Sequence, residues 1–223
     1  MRILVVGGTG FIGEVLCREL HERGHEVVAM SRSPDSVEFP AGIETVMGDV
    51  TAYDSIESAF EGVDAVVNLV ALSPLFRPDG GNEKHFEIHT EGTKNVVRAA
   101  EKYDVGTLLQ MSALGADPDG DTAYIRSKGQ AENAVQASSV PWIVFRPSVV
   151  FGDGGEFVSF TKKLAPPYFT PLPGGGKTRF QPIWVGDLVP MLADALDGGR
   201  PEDEAGAEEE AKTEDETAAE DET

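Results

Sequence analysis

Near its start the chain reads Ile3-Leu4-Val5-Val6-Gly7-Gly8-Thr9-Gly10-Phe11-Ile12-Gly13. Four apolar, mostly branched residues predict a short strand buried on both faces, and a glycine-rich turn follows them. The next residues, 14–20, have the spacing of a helix whose Val15, Leu16 and Leu20 face inward. The segment therefore predicts a strand, a tight turn and a helix in direct succession.

The glycines of this turn suit the binding of a dinucleotide. Gly7, Gly10 and Gly13 satisfy Gly-x-x-Gly-x-x-Gly, and Gly8, Gly10 and Gly13 satisfy Gly-x-Gly-x-x-Gly. Glycine is favoured there because the chain turns sharply, the backbone approaches a pyrophosphate, and the helix packs close to the strand. The N–H groups of the first helical turn then face the phosphates. An ordinary strand-to-helix turn is the alternative, but the position between strand and helix favours a dinucleotide site.

The length and composition fit a single cytoplasmic domain. With 223 residues the chain is long enough for one α/β domain with a complete core. It has no run of about 18 apolar residues, so we expect no membrane insertion. The amino terminus does not have a basic segment followed by an apolar one, which predicts no export signal. The single cysteine, Cys17, excludes an internal disulfide and is predicted to be a small apolar filler of the first helix.

The charge is strongly negative and unevenly distributed. The chain has 39 acidic and 18 basic residues, a net charge of −21, and residues 201–223 hold 12 of the acids and only one base. The rest of the chain is still acidic, which argues against nucleic acid as a partner because phosphate contacts need clustered Lys and Arg. One interpretation is a halophilic protein, whose carboxylate-rich surface stays hydrated in a high-salt cytoplasm. The alternative is an acidic mesophilic protein with an appended tail.

Apolar segments that fit strands alternate with helical patterns along the rest of the chain. Further strands are predicted at residues 26–30, 43–47, 64–71, 107–111 and 142–146. Helices are predicted near 55–60, from 85 to about 102, from 124 to about 138, and at 188–196. Thr51 or Asp54 can cap the first of these helices. The alternation predicts a doubly wound α/β domain, with helices on both sides of a parallel sheet.

This domain is expected to comprise residues 1–198. Residues 152–198 are interpreted as a small, abbreviated substrate-side region, with the glycines 174–176 forming a turn. Residues 199–223 are low in complexity and cannot bury enough apolar surface to offset their ordering entropy, which predicts a disordered acidic tail. Residues 72–84 are rich in Pro and Gly and are predicted to form a mobile loop beside the site.

Two residues after the second strand bear on which dinucleotide is bound. Ser31 and Arg32 lie about twenty residues after the glycines, where an acidic residue would bond the adenosine ribose 2′-hydroxyl of NAD. A guanidinium instead suits a 2′-phosphate through its charge and its fork of donors. The pattern therefore predicts NADP(H) rather than NAD(H), and the alternative is a surface arginine after a strand.

Two histidines have a spacing that can bind a metal ion. His85 and His89 are four residues apart on a predicted helix. No third ligand is recognisable in the sequence, so we interpret them as surface or cleft histidines and predict no metal site.

A second group of chemically capable residues follows the fifth strand. Ser112 comes directly after this strand, and Tyr124 and Lys128 are four apart on one face of the next helix. A nearby ammonium and an oxidised nicotinamide lower the pKa of a tyrosine, which can then exchange a proton with a substrate hydroxyl or carbonyl. We predict Tyr124 as the acid/base, Lys128 as its electrostatic partner and a ligand of the nicotinamide ribose, and Ser112 as a substrate hydrogen-bond donor. The alternative is a half-buried tyrosine and a solvated lysine on an amphipathic helix.

Several motifs now occur in order along the chain: the glycine turn 7–13, Gly-Asp-Val at 48–50, Gly-Thr-Lys-Asn-Val-Val at 92–97, the pair Tyr124 and Lys128, and Arg-Pro-Ser-Val-Val-Phe-Gly at 146–152. In these the chain resembles the short-chain dehydrogenase/reductase superfamily, in its extended and atypical branch. That branch includes NAD-dependent epimerase/dehydratases, NmrA-like proteins and relatives of the complex I 39-kDa subunit. Residues 179–188 look like the last group in particular, and the likeness covers roughly residues 1–198.

The resemblance implies further cofactor contacts. Asp49 and Val50 would contact adenine, residues 68–71 the adenosine ribose side, and Pro147 and Val150 the nicotinamide. Together with the residues above, the predicted cofactor-binding set is Gly7, Gly8, Thr9, Gly10, Phe11, Ile12, Gly13, Ser31, Arg32, Asp49, Val50, Asn68, Val70, Ala71, Met111, Lys128, Pro147 and Val150.

The sequence departs from the family pattern at the helix before the fifth strand and at the substrate hydroxyl. The usual helix asparagine, three before Gly-Thr, is His89 here, and extended members often carry their hydroxyl near Leu114 rather than at Ser112. The resemblance implies an NAD(P)-dependent oxidoreductase or epimerase-like protein that transfers hydride between nicotinamide and a hydroxyl or carbonyl of an unknown small molecule. A non-catalytic, NADP(H)-binding structural or redox-sensing protein is the alternative, and a homo-oligomer is compatible with either.

Overall fold

The computed structural model describes residues 1–164 and 181–198. Its centre is a parallel sheet of six strands, ordered β3-β2-β1-β4-β5-β6. The first three strands are β1 (Arg2–Val6), β2 (Glu26–Ser31) and β3 (Ile43–Met47). The others are β4 (Ala65–Asn68), β5 (Thr107–Met111) and β6 (Trp142–Phe145). The strand order reverses between β1 and β4, which creates a crevice at the carboxyl ends of these two strands.

Helices cover both faces of this sheet. The first two are α1 (Phe11–Glu22) and α2 (Tyr53–Ile56), with 3-10 turns at Pro34–Ser36 and Glu57–Phe60. α3 (Glu83–His85) continues through a π-helical segment (Phe86–Glu91) into α4 (Gly92–Lys102). The later helices are α5 (Ala123–Gln136), α6 (Glu156–Leu164) and α7 (Val185–Leu196). Two short strands, β7 (Val149–Phe151) and β8 (Pro182–Trp184), pair in parallel apart from the main sheet.

The alternation of side chains along β1 explains why both faces are covered. Ile3 and Val5 are buried in the core that α1 and α7 form on one face, and Leu4 and Val6 are buried on the other face with residues of α4 and α5. Successive side chains of a strand point to opposite faces, so an uninterrupted apolar strand needs a helical layer on each side. The prediction of a doubly wound α/β fold is confirmed.

The predicted elements differ from the observed ones in several places, and three of these differences lie around the cleft. The fourth strand ends at Asn68 rather than residue 71, because the chain leaves the sheet there to line the crevice. The predicted cap of α2 is wrong: Ala52 holds the N-cap position and no side chain caps it. Instead the Asp49 carboxylate accepts hydrogen bonds from the N–H and hydroxyl of Thr51. The helix over 85–102 also contains the π-helical segment, which its apolar spacing does not predict.

Two further expectations concern the core and the termini. Cys17 is fully buried, and burial raises the pKa of its thiol to about 12, so the thiol stays protonated and uncharged. This agrees with the prediction that Cys17 is an apolar filler of the core. Among the helices of residues 1–164 and 181–198, none combines the length and the apolar character that a membrane span needs. The predicted glycine turn at 174–176 and the predicted acidic tail at 199–223 lie outside the described residues.

Candidate active site

The glycine turn is built so tightly that side chains do not fit at three of its positions. Gly7 has φ +90°, which favours glycine. A Cβ on Gly13 would lie 2.2 Å from the Gly7 carbonyl oxygen, and one on Gly8 would lie 2.7 Å from the Ala29 Cβ. The N–H groups of Gly7 and Gly8 both donate to the Met30 carbonyl, at 2.8 and 3.0 Å, which fastens the turn to the end of β2. The turn therefore holds the start of α1 directly against the sheet.

The start of α1 is left open for an anion. Gly10 is the N-cap residue, in extended conformation, and no side chain caps the helix there. The first N–H groups of a helix have no intrahelical acceptor, and they carry the positive end of the helix dipole. A phosphate beside residues 10–13 would therefore accept hydrogen bonds from these N–H groups and be attracted by the positive end of the dipole.

A cavity of about 270 Å³ lies on the β2–β3 side of this turn. The residues that the sequence predicts for the adenosine half of a dinucleotide and that line this cavity are Gly7, Thr9, Gly10, Ser31, Arg32, Asp49, Val50, Val70 and Ala71. Met30, Ser33, Gly48, Leu72 and Ile88 add to its wall without having been predicted from the sequence.

The charges in this cavity are a carboxylate and a guanidinium. Burial raises the pKa of Asp49, but the hydrogen bonds from Thr51 and the charges of Arg32 and Lys84 outweigh it and hold this pKa below its usual range. Arg32 is exposed, and its guanidinium makes no hydrogen bond or ion pair with any residue in 1–164 or 181–198. The Arg32 guanidinium is therefore available to a ligand.

A second cavity, of about 460 Å³, continues from the first on the other side of the turn. The two share Leu69, Ala71 and Leu72 in their walls, so they form two halves of one cleft. The predicted residues that line the second half are Phe11, Ile12, Met111, Ser112, Tyr124, Lys128, Pro147 and Val150. The structure thus brings the predicted acid/base group to one end of the cleft and the predicted adenosine contacts to the other.

Three predicted cofactor residues lie behind the cleft and do not line it. Gly8 and Gly13 pack against backbone, as described above. The Asn68 amide donates to the Gln110 side chain at 2.9 Å and to the Thr93 hydroxyl at 3.3 Å, while its oxygen accepts the N–H of Val70 at 3.3 Å. Asn68 is buried and links the ends of β4 and β5, so it shapes the cleft wall from behind.

Burial keeps the Tyr124 phenol in its protonated form. Burial raises its pKa to about 12, the opposite direction from the one expected from a neighbouring ammonium. That expectation is wrong for the polypeptide by itself, because loss of solvent disfavours tyrosinate more than the surrounding charge favours it. The Tyr124 ring makes edge-to-face contacts with His85 and His89, at centroid distances of 5.8 and 5.5 Å.

Lys128 is a buried cation one helical turn beyond Tyr124. It is 1% exposed, and its Nζ donates to the Met111 carbonyl at 3.1 Å. Burial lowers its pKa to about 8, partly offset by the negative charge of Glu132. Glu132 is also buried and pairs through both oxygens with Arg146 at the end of β6, which fixes α5 to the sheet. Neither a solvated lysine nor an ordinary amphipathic helix describes this arrangement.

The cost of burying the Lys128 ammonium should appear in the stability of the protein. The folded protein releases this proton near pH 8 and the unfolded chain near 10.5, so unfolding takes up a proton between these values. The contribution of Lys128 to the free energy of unfolding should therefore rise with pH in that window, by roughly 3 kcal/mol in total, and Lys128→Met should remove this contribution. Lys94→Met, which changes an exposed lysine, should keep it.

The measurement is urea unfolding of the three proteins from pH 7 to 10. Cys17 and Tyr124, whose raised pKa values destabilise the fold above about pH 9 and 10, are present in all of them and cancel in the difference. A Lys128→Met protein with the same pH slope as wild type would show that the ammonium is not held in the folded protein as described.

His89 replaces the family's asparagine with a different set of hydrogen bonds. Its Nε2 accepts the Leu72 N–H at 2.8 Å, and its Nδ1 lies 2.8 Å from the Ser127 hydroxyl. Since Nε2 accepts, the neutral ring carries its proton on Nδ1 and donates it to Ser127, which in turn donates to the Tyr124 carbonyl at 2.8 Å. Burial, Lys128 and His85 lower the pKa of His89 to about 2, so it stays neutral. His89 therefore joins the cleft loop to the first turn of α5.

Both histidines are buried against the Tyr124 ring and line neither half of the cleft, so the interpretation as surface or cleft histidines is wrong. His85 is 6% exposed and His89 1%, with ring centroids 5.3 Å apart. Burial lowers the pKa of His85. Within the described residues no group of three or more His, Cys, Asp or Glu side chains is placed to hold a metal ion.

The Ser112 side chain lies in the wall of the second half of the cleft. Its Oγ is buried at the cavity wall and has no hydrogen-bond partner among the described residues, while its N–H is fixed to the Phe145 carbonyl at 2.7 Å. Leu114, near which the resemblance would place the hydroxyl of extended members, is 52% exposed and does not line the cavity. The remaining wall comes from Leu72–Leu75, which belong to the loop predicted beside the site, and from Ser148, Val149, Gly154, Glu156 and Phe157, which were not predicted as site residues.

Comparison with known proteins agrees with the fold and the cleft. Residues 7–165 match the NAD(P)H-binding family. The chain is 32% identical over 177 residues to the 2-alkyl-3-oxoalkanoate reductase of Stenotrophomonas maltophilia, covering 70% of this chain and 53% of that one. It is 28% identical over 203 residues to subunit 9 of the mitochondrial NADH dehydrogenase [ubiquinone] 1 alpha subcomplex of Arabidopsis thaliana, covering 86% of this chain and 49% of that one. The chain thus spans about half the length of these curated relatives.

A solved structure shows the same fold with a bound dinucleotide. The enzyme WbmH of Bordetella bronchiseptica, in complex with NAD⁺, superposes with a TM-score of 0.70 at 22% identity, covering 88% of this chain and 72% of that one. The fold and the family match define an NAD(P)-binding protein of the Rossmann type. The chain belongs to the NAD(P)H-binding family, within the extended short-chain dehydrogenase/reductase group.

Proposed function

We propose that this protein is an NAD(P)-dependent oxidoreductase that interconverts a hydroxyl and a carbonyl group on a small molecule. One observation carries the proposal: Ser112, Tyr124 and Lys128 line the same half of a cleft whose other half is built for adenosine. When bound there, the nicotinamide supplies the hydride to the carbonyl carbon or takes it from the alcohol carbon.

The side chains supply the matching proton and orient the substrate. In the reducing direction the Tyr124 phenol gives its proton to the substrate oxygen, and Ser112 donates a second hydrogen bond to that oxygen. The Lys128 ammonium stabilises the tyrosinate that remains, and the phenol recovers its proton from solvent. A phenol whose pKa is raised to about 12 by burial needs that support more than an exposed one does.

Turnover is tested by incubating the full chain with NADPH and a panel of ketones and aldehydes and following loss of absorbance at the nicotinamide band. The proposal expects oxidation of NADPH with stoichiometric formation of the alcohol. Binding of NADPH without turnover on any carbonyl would instead favour the second candidate, an NADP(H)-binding structural or redox-sensing protein. The similarity to a subunit of NADH dehydrogenase supports that candidate.

We propose NADP(H) as the preferred cofactor, held at its 2′-phosphate by Arg32. The guanidinium lies at the wall of the adenosine half with no partner among the described residues. Arg32→Gln should weaken NADPH binding about tenfold, the lower end for a charge-assisted hydrogen bond because the site is exposed, and should leave NADH affinity nearly unchanged. Fluorescence titration with both nucleotides measures this.

The matched control is Arg98→Gln. Arg98 is also exposed and loses the same charge, but it stacks on the Tyr53 ring at 3.8 Å and does not line the cleft. NADPH affinity should stay within twofold of wild type in that variant. Tighter binding of NADH than of NADPH by the wild type, or an equal loss of NADPH affinity in the two variants, would show that Arg32 does not bind a 2′-phosphate.

We also propose that residues 1–198 form one nucleotide-binding domain with an acidic tail after it, and that the protein works in a cytoplasm of high salt. The net charge of −21 supports the second part, because salt screens the repulsion between carboxylates. The melting temperature should fall steeply as KCl is lowered from molar concentration to dilute buffer. A melting temperature that does not depend on salt would contradict a halophilic protein.

A further inference from the structure

The wall of the half of the cleft that holds Tyr124 is richer in apolar residues than the wall of the adenosine half. The apolar residues that line it are Phe11, Ile12, Leu69, Ala71, Leu72, Pro74, Leu75, Met111, Pro147, Val149, Val150 and Phe157. The other lining residues are Gly154, the hydroxyl residues Ser73, Ser112, Tyr124 and Ser148, and the charged pair Lys128 and Glu156. A ligand here would therefore meet mostly carbon.

The charges at this end do not suit an anionic substrate. Lys128 is the one cation among the described residues of this wall, and its ammonium is already bonded to the Met111 carbonyl. Glu156, exposed at the first turn of α6, adds a carboxylate to the same wall. A carboxylate in the wall repels a diphosphate or a carboxylate in the ligand, and no guanidinium among the described lining residues offsets it.

An aromatic contact joins the two segments that contribute Leu75 and Phe157 to this cavity. Phe76, in the loop after β4, meets Phe160 of α6 edge to face, with ring centroids 5.7 Å apart and planes at 89°. The neighbouring residues Leu75 and Phe157 both line the cavity. The loop and α6 thus meet beside this cavity, and their side chains Leu75 and Phe157 give its wall apolar surface against which a ligand can be buried.

We propose that the substrate is an uncharged, predominantly apolar ketone or secondary alcohol, whose hydrocarbon part lies against Leu75 and Phe157 while its oxygen faces Ser112 and Tyr124. This inference rests on the proposed oxidoreductase function and narrows it to a substrate class. In reduction, the carbonyl carbon gains hydride from the reduced nicotinamide and the oxygen gains the Tyr124 proton, so the products are the alcohol and the oxidised nucleotide.

The test uses cyclohexanones that carry hydrogen, methyl, ethyl or propyl at the 4-position, together with 4-oxocyclohexanecarboxylate and UDP-glucose. Their affinity is read from the change in fluorescence of NADPH bound to the Tyr124→Phe protein, which does not require turnover. Affinity should rise up to about fourfold with each added methylene, since each one buried leaves water for a carbon-lined wall. The carboxylate and UDP-glucose should bind at least tenfold more weakly than the methyl compound.

Glu156→Gln removes the carboxylate charge with little change in side-chain size, so it measures how much this charge weakens the binding of an anionic ligand. It should bring the affinity of the carboxylate closer to that of 4-methylcyclohexanone by at least threefold, while Glu83→Gln, an exposed glutamate outside the cavity, should change nothing. Flat affinity along the alkyl series, tighter binding of UDP-glucose, or no binding of any ketone would overturn the substrate class. None of these results bears on NADPH binding or on the Tyr124 proton, which are measured separately. If affinity rose along the alkyl series but the wild type reduced none of these ketones, the apolar ligand class would be supported and the proposed oxidoreductase function would be contradicted.

Discussion

Replacing Tyr124 with phenylalanine is expected to lower kcat for carbonyl reduction by two or more orders of magnitude while leaving the affinity for NADPH within about twofold. General acid catalysis by a positioned side chain contributes roughly 10²–10⁴ in rate. The change removes only the phenolic oxygen, and the ring keeps its edge-to-face contacts with His85 and His89, so the wall of the cleft should keep its shape. Steady-state kinetics on any ketone that the wild type reduces would measure this effect.

Tyr103→Phe is the matched control. Tyr103 is half-buried at the end of α4 and does not line either half of the cleft, so its hydroxyl should be dispensable for turnover. A pH profile adds a second readout, because the supporting ammonium of Lys128 has a pKa of about 8. Reduction by the wild type should decline as the pH rises through 8. A Tyr124→Phe protein as fast as wild type would remove the phenol from the mechanism.

The second large effect is expected from Gly13→Ala. The new Cβ would lie 2.2 Å from the Gly7 carbonyl oxygen and 2.9 Å from the Gly8 backbone, and neither is a flexible side chain that can move aside. The start of α1 must therefore shift away from the turn, at a cost of about 1–3 kcal/mol in stability. Because the helix amides then no longer meet the phosphates, NADPH affinity should fall tenfold or more.

Gly24→Ala, just after the other end of the same helix, is the control that distinguishes a loss of stability from a loss of NADPH affinity. Gly24 has φ +87°, which L side chains rarely adopt, but a Cβ there has no heavy atom within 4 Å. This variant should lose about 1–2 kcal/mol in thermal or urea unfolding and keep its NADPH affinity. If Gly13→Ala bound NADPH as tightly as Gly24→Ala, the turn would not be the phosphate site.

Local sequence patterns predicted most of the fold. The observed bounds of β3 and β5 are the predicted ones, since each is a five-residue segment that follows a glycine directly, Gly42 or Gly106. The glycine turn was predictable because the close approach of Gly13 to Gly7 and Gly8 lies within a few residues, whereas the contact of Gly8 with Ala29 does not. The buried residues Val96, Val97 and Ala100 of α4 also follow directly from helical periodicity.

The electrostatic state of the site depends on contacts that no local pattern contains. The hydrogen bonds of His89 to Leu72 and Ser127, and that of Lys128 to the Met111 carbonyl, join residues 17 to 38 positions apart. The sequence places Lys128 on the same helix face as Tyr124 but does not show that burial controls both pKa values. The carbon-lined wall contributed by Leu75 and Phe157 likewise comes from segments with no periodic signal.

The central claim is that the backbone at residues 7–13 and the wall built by Arg32, Tyr124 and Lys128 bind one nicotinamide dinucleotide. Titrating the full chain with NADPH and following the transfer of tryptophan excitation to the bound nicotinamide tests it most directly, in molar KCl and in dilute buffer. The account predicts saturable binding of one NADPH per chain, weakened at least tenfold by Gly13→Ala. The absence of saturable binding of either NADPH or NADH, to protein shown to be folded in both buffers, would contradict it.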